Sequence, residues 1–119
     1  MKEFLKKINN GYDGLIRSIG VKSFSSASIV VSVMDEENDY EWINVRFEID
    51  SIVEFKVIQR INTSNIVLSE GIKVEYYNSH VYIAFSPYSN ELRTLEDFRN
   101  SDVYFGCKNI KFTIEPYSE

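Results

Sequence analysis

Alternation with a period of two runs through most of this chain, and it directs the fold toward sheet rather than helix. Ile43, Val45, Phe47 and Ile49 alternate with Asn44, Arg46, Glu48 and Asp50, the pattern of a strand with one face in a core and the other in water. Ile29, Val31 and Val33 repeat it more loosely. If the two runs pair as a hairpin with their apolar sets on one face, residue 33 stands opposite 43 and residue 31 opposite 45. Met34 and Trp42 then close the ladder, because carrying it on to Asp35 and Glu41 would set like charges opposite each other. The acidic stretch from Asp35 to Glu41 is expected as an exposed loop.

A second hairpin is specified more tightly. Ile72, Val74 and Tyr76, and then Val81, Ile83 and Phe85, flank Asn78 and Ser79. A two-residue turn there pairs 76 with 81, 74 with 83 and 72 with 85, which gathers all six apolar residues on one face. Two further stretches carry a question of phase. Val53, Phe55 and Val57 keep the parity of Ile43 to Ile49, so a two-residue turn at Asp50 and Ser51 would send them to the wrong face; a bent strand, or one crossing between sheets, is expected instead. Val103, Phe105 and Cys107 are odd while Ile110, Phe112 and Ile114 are even. A bulge in one long strand, the favoured reading, or a tight turn between two short ones near Lys108 and Asn109 produces that shift.

Pro87 to Asn100 breaks the alternation, and Leu92, Leu95, Glu96 and Phe98 predict a loop with at most a helical turn. Residues 2 to 9 fit a short helix with Phe4, Leu5 and Ile8 along one side, stopped by Asn9, Asn10 and Gly11. The expected fold is a single domain over residues 1 to 119, mostly β and bordering on α+β. Its antiparallel sheet is strongly bent, a two-sheet sandwich or a partial barrel, with the N-terminal helix over an open side. Val45, Phe47, Phe55, Val74, Ile83 and Phe112 should be mostly buried. With 119 residues, 44% of them hydrophobic, the chain can build a core without disulfide or metal.

Chemistry-bearing residues are sparse. Cys107 is the only cysteine and lies among Val103 and Phe105, so it reads as a buried, inert thiol in a protein of a reducing cytosol. His80, the only histidine, falls at a hairpin tip, where its ordinary role is a solvated turn residue. No phosphate-binding glycine loop, nucleophile elbow or metalloprotease helix motif is present, and the composition lacks the ligands of a zinc site. The run Asp35 to Glu41 lacks the glycine and terminal glutamate of a calcium-binding loop. An enzyme is therefore not expected, nor a cofactor. Met1 to Asn10 is a charged amphipathic run rather than a secretory leader, and no apolar stretch approaches the roughly 20 residues of a membrane span, so the expected location is cytoplasmic.

Charge distribution is more informative. Residues 1 to 22 carry five basic and two acidic groups, whereas residues 23 to 59 carry two basic and eight acidic ones, within a net charge of −5. Such a balance disfavours nucleic acid as a partner and favours a protein with a basic surface. Asp35, Glu36, Glu37, Asp39 and Glu41, bordered by Tyr40 and Trp42, form the candidate partner-binding segment: carboxylates to steer a basic surface and aromatics to anchor it. The ordinary alternative is a solvated loop beside two aromatics that cover the core edge.

The run Tyr12-Asp13-Gly14-Leu15-Ile16-Arg17-Ser18-Ile19, with Ile29 to Val33, Val45 to Phe55, Val67 to Ile72 and Ser101 to Lys108, resembles a broad class of small bacterial β-rich proteins. Some of these look like immunity proteins, which neutralise toxins exchanged between neighbouring bacteria. The class often has His before the Asp where this chain has Tyr12. The resemblance implies a stable scaffold with a surface complementary to a toxin, and an acidic inhibitor suits a basic nuclease toxin. The alternative expectation is a small intracellular protein-interaction or ligand-binding β domain.

Overall fold

A computed structural model describes residues 1–59, 67–85 and 94–118. Its elements are α1 (Lys2–Lys7), β1 (Gly14–Ser23), β2 (Ser26–Asp35), β3 (Glu41–Val57), β4 (Val67–Leu68), β5 (Ile72–Tyr77), β6 (His80–Phe85), α2 (Leu95–Arg99) and β7 (Val103–Pro116), with 3-10 turns at Asn9–Gly11 and Glu36–Asn38. The strands make one antiparallel sheet in the order β4-β1-β2-β3-β7-β6-β5. Its two outermost strands, β4 and β5, are consecutive in the chain and only Ser69 to Gly71 separate them. So short a link between opposite edges requires the sheet to curl, and it nearly closes into a barrel.

Both predicted hairpin registers are present. Val33 faces Ile43 and Val31 faces Val45, and in the second hairpin Tyr76 faces Val81, Val74 faces Ile83 and Ile72 faces Phe85. Asn78 and Ser79 both have positive φ, 51° and 66°, as the twist of a two-residue hairpin turn demands. The first ladder goes one rung further than expected, to Asp35 and Glu41. Asp35 turns its carboxylate to the Glu37 N–H, 3.1 Å, and Glu41 accepts from the Asn38 side chain, 3.2 Å, so each like charge has a local partner of its own.

β3 and β7 form the spine. β3 bends rather than turns at Asp50 and Ser51: Ser51 takes φ 56°, and a bulge follows between Ile52 and Glu54. β7 is one continuous strand, which removes the tight-turn alternative, and the favoured bulge near Lys108 and Asn109 is absent as well, since the one register shift of this ladder lies between Ile52 and Glu54 of β3. Asp50 pairs with Asn109 and Ile52 with Cys107 in unbroken register, so Ser51 and Lys108 change phase together and the two strands twist as a unit.

Val45, Phe47, Val74 and Ile83 lie in the main core, but Phe55 and Phe112 remain 40% and 38% exposed, against expectation. One cause explains both. The β2 ladder stops at Asp50 and the β6 ladder at Cys107, so the Phe55 half of β3 and the Phe112 half of β7 have a strand on one side only among the described residues.

Helix α1 partly covers the second of these gaps, as expected of an N-terminal helix over an open side. Its Phe4 ring stacks on Phe112 at 3.9 Å, Leu5 and Ile8 enter the core, and Lys2 pairs with Glu75 of β5 at 2.9 Å. Positive φ at Asn9, Asn10 and Gly11 ends the helix. On the outer face α2 is the anticipated helical turn: Thr94 and Asp97 form its capping box, and Phe98 packs with Tyr82, Ala84 and Tyr104 in a small second core. The remaining predicted loop residues, 87–93, lie outside the described residues. No described helix is long and apolar enough to cross a membrane.

Candidate functional site

The segment singled out by charge is an ordered turn between two paired strands. Asp35 caps the 3-10 turn Glu36–Asn38, Asp39 and Tyr40 both adopt left-handed φ, and the Tyr40 N–H returns to the Asp35 carbonyl at 3.0 Å. Glu36, Glu37, Asp39 and Glu41 are exposed, and Tyr40 is 63% exposed at the apex. Glu37 approaches Lys7 of α1 at 3.9 Å. Trp42 departs from the group: it points to the outer face, where its ring lies 6.1 Å from that of Tyr117. The structure thus brings the carboxylates and Tyr40 together and places Trp42 elsewhere.

Asp35 and Glu37 also stand at the mouth of an apolar groove of about 410 Å³. Phe4 of α1 and Ile8 just after it form one wall, Ile43, Phe112 and Ile114 line the rest, and Glu3 and Lys7 share the rim. It stays open because, among the described residues, β7 has no strand beyond Cys107 on this side and α1 reaches only as far as Phe112. Sequence reasoning missed this groove. The single signal available was that Phe112 and Ile114 continue a clean alternation, which shows the face they point to but not whether another element covers it.

A polar cluster on the opposite face of the same strands was also not anticipated. A bulge in β1 leaves Arg17 unpaired between Ile16 and Ser18 and turns its guanidinium onto the sheet. Arg17 donates to Ser32 Oγ at 2.8 Å and to the Tyr117 hydroxyl at 2.9 Å. Buried Ser32 donates to Asn44 Oδ1 at 2.6 Å, and Asn44 in turn donates to the Ser118 carbonyl at 3.1 Å. Arg46 donates to Glu115 at 3.1 Å and to Ser28 at 3.1 Å. No described buried side-chain polar atom lacks a partner. This satisfied network fastens residues 115 to 118 to β1, β2 and β3.

Under α2, Glu54 accepts two hydrogen bonds from Arg99, 2.7 and 2.9 Å, and one each from the hydroxyls of Tyr104 and Tyr82, 2.9 and 3.3 Å. Arg99 is the main reason its carboxyl lies below the ordinary range, while burial and the same carboxylate push the Tyr104 phenol up to about 12. Four donors on one carboxylate tie β3, β6, β7 and α2 together, a structural role. Cys107 is fully buried, and burial pushes its thiol up to about 11, which leaves almost no thiolate at neutral pH. His80 is half-buried at the start of β6, opposite Tyr77. Among the described residues no three of His, Cys, Asp or Glu are grouped to hold a metal ion. Compared with family models, curated proteins and solved structures, the chain finds no match in any of the three.

Proposed function

We propose that this chain is an immunity-type protein, which binds a cognate bacterial toxin and neutralises it by occluding a basic surface such as a nuclease active site. The observation that carries the reading is the ordered turn of carboxylates at Asp35 to Glu41 beside an open apolar groove. Carboxylates held in a fixed turn steer a cationic surface and set its orientation, while apolar contacts beside them supply the desolvated centre that retains it. The concentration of acid in residues 23 to 59 extends the same field over neighbouring strands. The groove is open along Ile114, which is 54% exposed, so it suits a protein surface better than a small molecule enclosed on all sides.

The test uses the tagged chain to capture partners from the source organism, followed by assay of the captured protein with and without the chain. A basic toxin domain whose activity falls on stoichiometric addition supports the reading. Capture of metabolic proteins only, or a captured toxin whose activity is unaffected, overturns it.

A further inference from the structure

The groove and the strand that lines it share one feature that points to a mode of binding. On the side away from β3, β7 is paired with β6 only from Tyr104 to Cys107. From Ile110 to Pro116 every residue pairs with β3, and no described residue pairs with the opposite edge. Alternate backbone N–H and C=O groups along this half therefore face outward beside an apolar groove. The strand is held firmly from its outer face, because Glu115 is fastened by Arg46 and Tyr117 by Arg17. A fixed edge loses little further freedom when another strand joins it.

We propose that the free half of β7, Ile110–Pro116, takes up an extended segment of the partner protein as an additional strand. This deepens the protein-binding reading and rests on it. Backbone hydrogen bonds to β7 supply registry, and side chains of one parity enter the groove beside Phe112 and Ile114. Among the described residues lining the groove, the carboxylates of Glu3, Asp35 and Glu37 outnumber the cations of Lys7 and the Met1 amino terminus, so the segment has Lys or Arg where it leaves the groove and apolar residues between. Lys111 within the strand and Pro116 at its end guard the edge against indiscriminate pairing.

The probe is the capped peptide Lys-Thr-Val-Thr-Ile-Thr-Lys, about as long as the free edge, with both lysines on the parity of Val and Ile. Backbone amides of Ile110 to Glu115 are followed by NMR and hydrogen exchange. Saturable binding below about 1 mM with at least tenfold slower exchange at about half of those amides is expected. A twin with Glu for Lys should not bind. Two N-methylated twins carry the methyl groups at alternate backbone nitrogens, in opposite phase. One should lose binding and the other keep it, because only one set of amides faces β7. Ile114→Arg, at a half-exposed site, should fold and weaken the peptide about tenfold.

Equal binding by both N-methylated twins, protection elsewhere than Ile110 to Pro116, or no saturable change at millimolar peptide overturns the proposal. So does a dimer in sedimentation that protects the same amides without peptide. Undiminished capture of a basic toxin by Ile114→Arg overturns the edge proposal and leaves the immunity reading standing. Edge protection by the peptide without any toxin captured does the reverse.

Discussion

The ring of Tyr82 occupies the space that any side chain at Gly106 would need. The two residues face each other across the β6–β7 ladder, and a Cβ built on Gly106 would stand 2.7 Å from Tyr82 Cζ. Tyr82 lies across that gap to reach Glu54. Gly106→Ala should therefore cost about 1–3 kcal/mol of stability, read from the urea midpoint, because the ring must be displaced from a packed cluster. In a Tyr82→Ala background the same change should cost distinctly less. An unaltered midpoint for Gly106→Ala alone would show that the ring yields freely.

Glu54 makes stability depend on pH with a defined sign. Its folded carboxyl lies below the ordinary value of 4.5, so the stabilisation is present above that value and is lost as pH falls through the lower, folded one. Glu54→Gln should melt a few degrees lower at neutral pH, and the gap to the native chain should narrow progressively below about pH 4.5. Thermal unfolding from pH 7 to pH 3 measures it, and a gap that stays constant would assign the loss to shape rather than charge.

Ser79 carries φ 66° without being glycine. Ser79→Gly removes the conflict between its Cβ and the backbone and should stabilise the β5–β6 hairpin by about 1 kcal/mol. Chemical denaturation is the measurement; a destabilised variant would mean that unfolded-chain entropy outweighs the strain relieved.

Neutralising Asp35, Glu36, Glu37, Asp39 and Glu41 together as amides should slow association with a basic partner by about tenfold at low salt, with a smaller change in dissociation. The difference should shrink toward high salt, where exposed charges are screened within about 3 Å at 1 M. Stopped-flow association of the folded variant decides it. Equal rates at all salt concentrations would reduce the turn to a solvated connection.

What the sequence disclosed and what it concealed follow one division. Alternation identifies which face a residue occupies, and hairpin pairing converts parity into register, so Val33 opposite Ile43 and Val74 opposite Ile83 could be read directly. How far a neighbouring strand extends is not a local property. Phe55 and Phe112 have the right parity for the core but lie where the adjacent ladder has already stopped. β1 escaped notice because bulges after Ile16 and Val21 interrupt its phase. Of the candidate site, the carboxylate turn was legible from composition. The groove beside it was not, since Phe4, Phe112 and Ile43 meet only through tertiary packing.

Strand β7 is the last strand in sequence order, yet it stands between β3 and β6. During synthesis β1, β2 and β3 can associate as they emerge, β4 can add to β1, and β5 and β6 can close as a hairpin, but among the described residues that hairpin joins the rest of the sheet by a strand ladder only when Val103–Pro116 arrives. Until then β3 and β6 expose apolar, unpaired edges to every other nascent chain nearby. The time between the emergence of Phe85 and that of Pro116 is therefore the interval in which aggregation is to be expected.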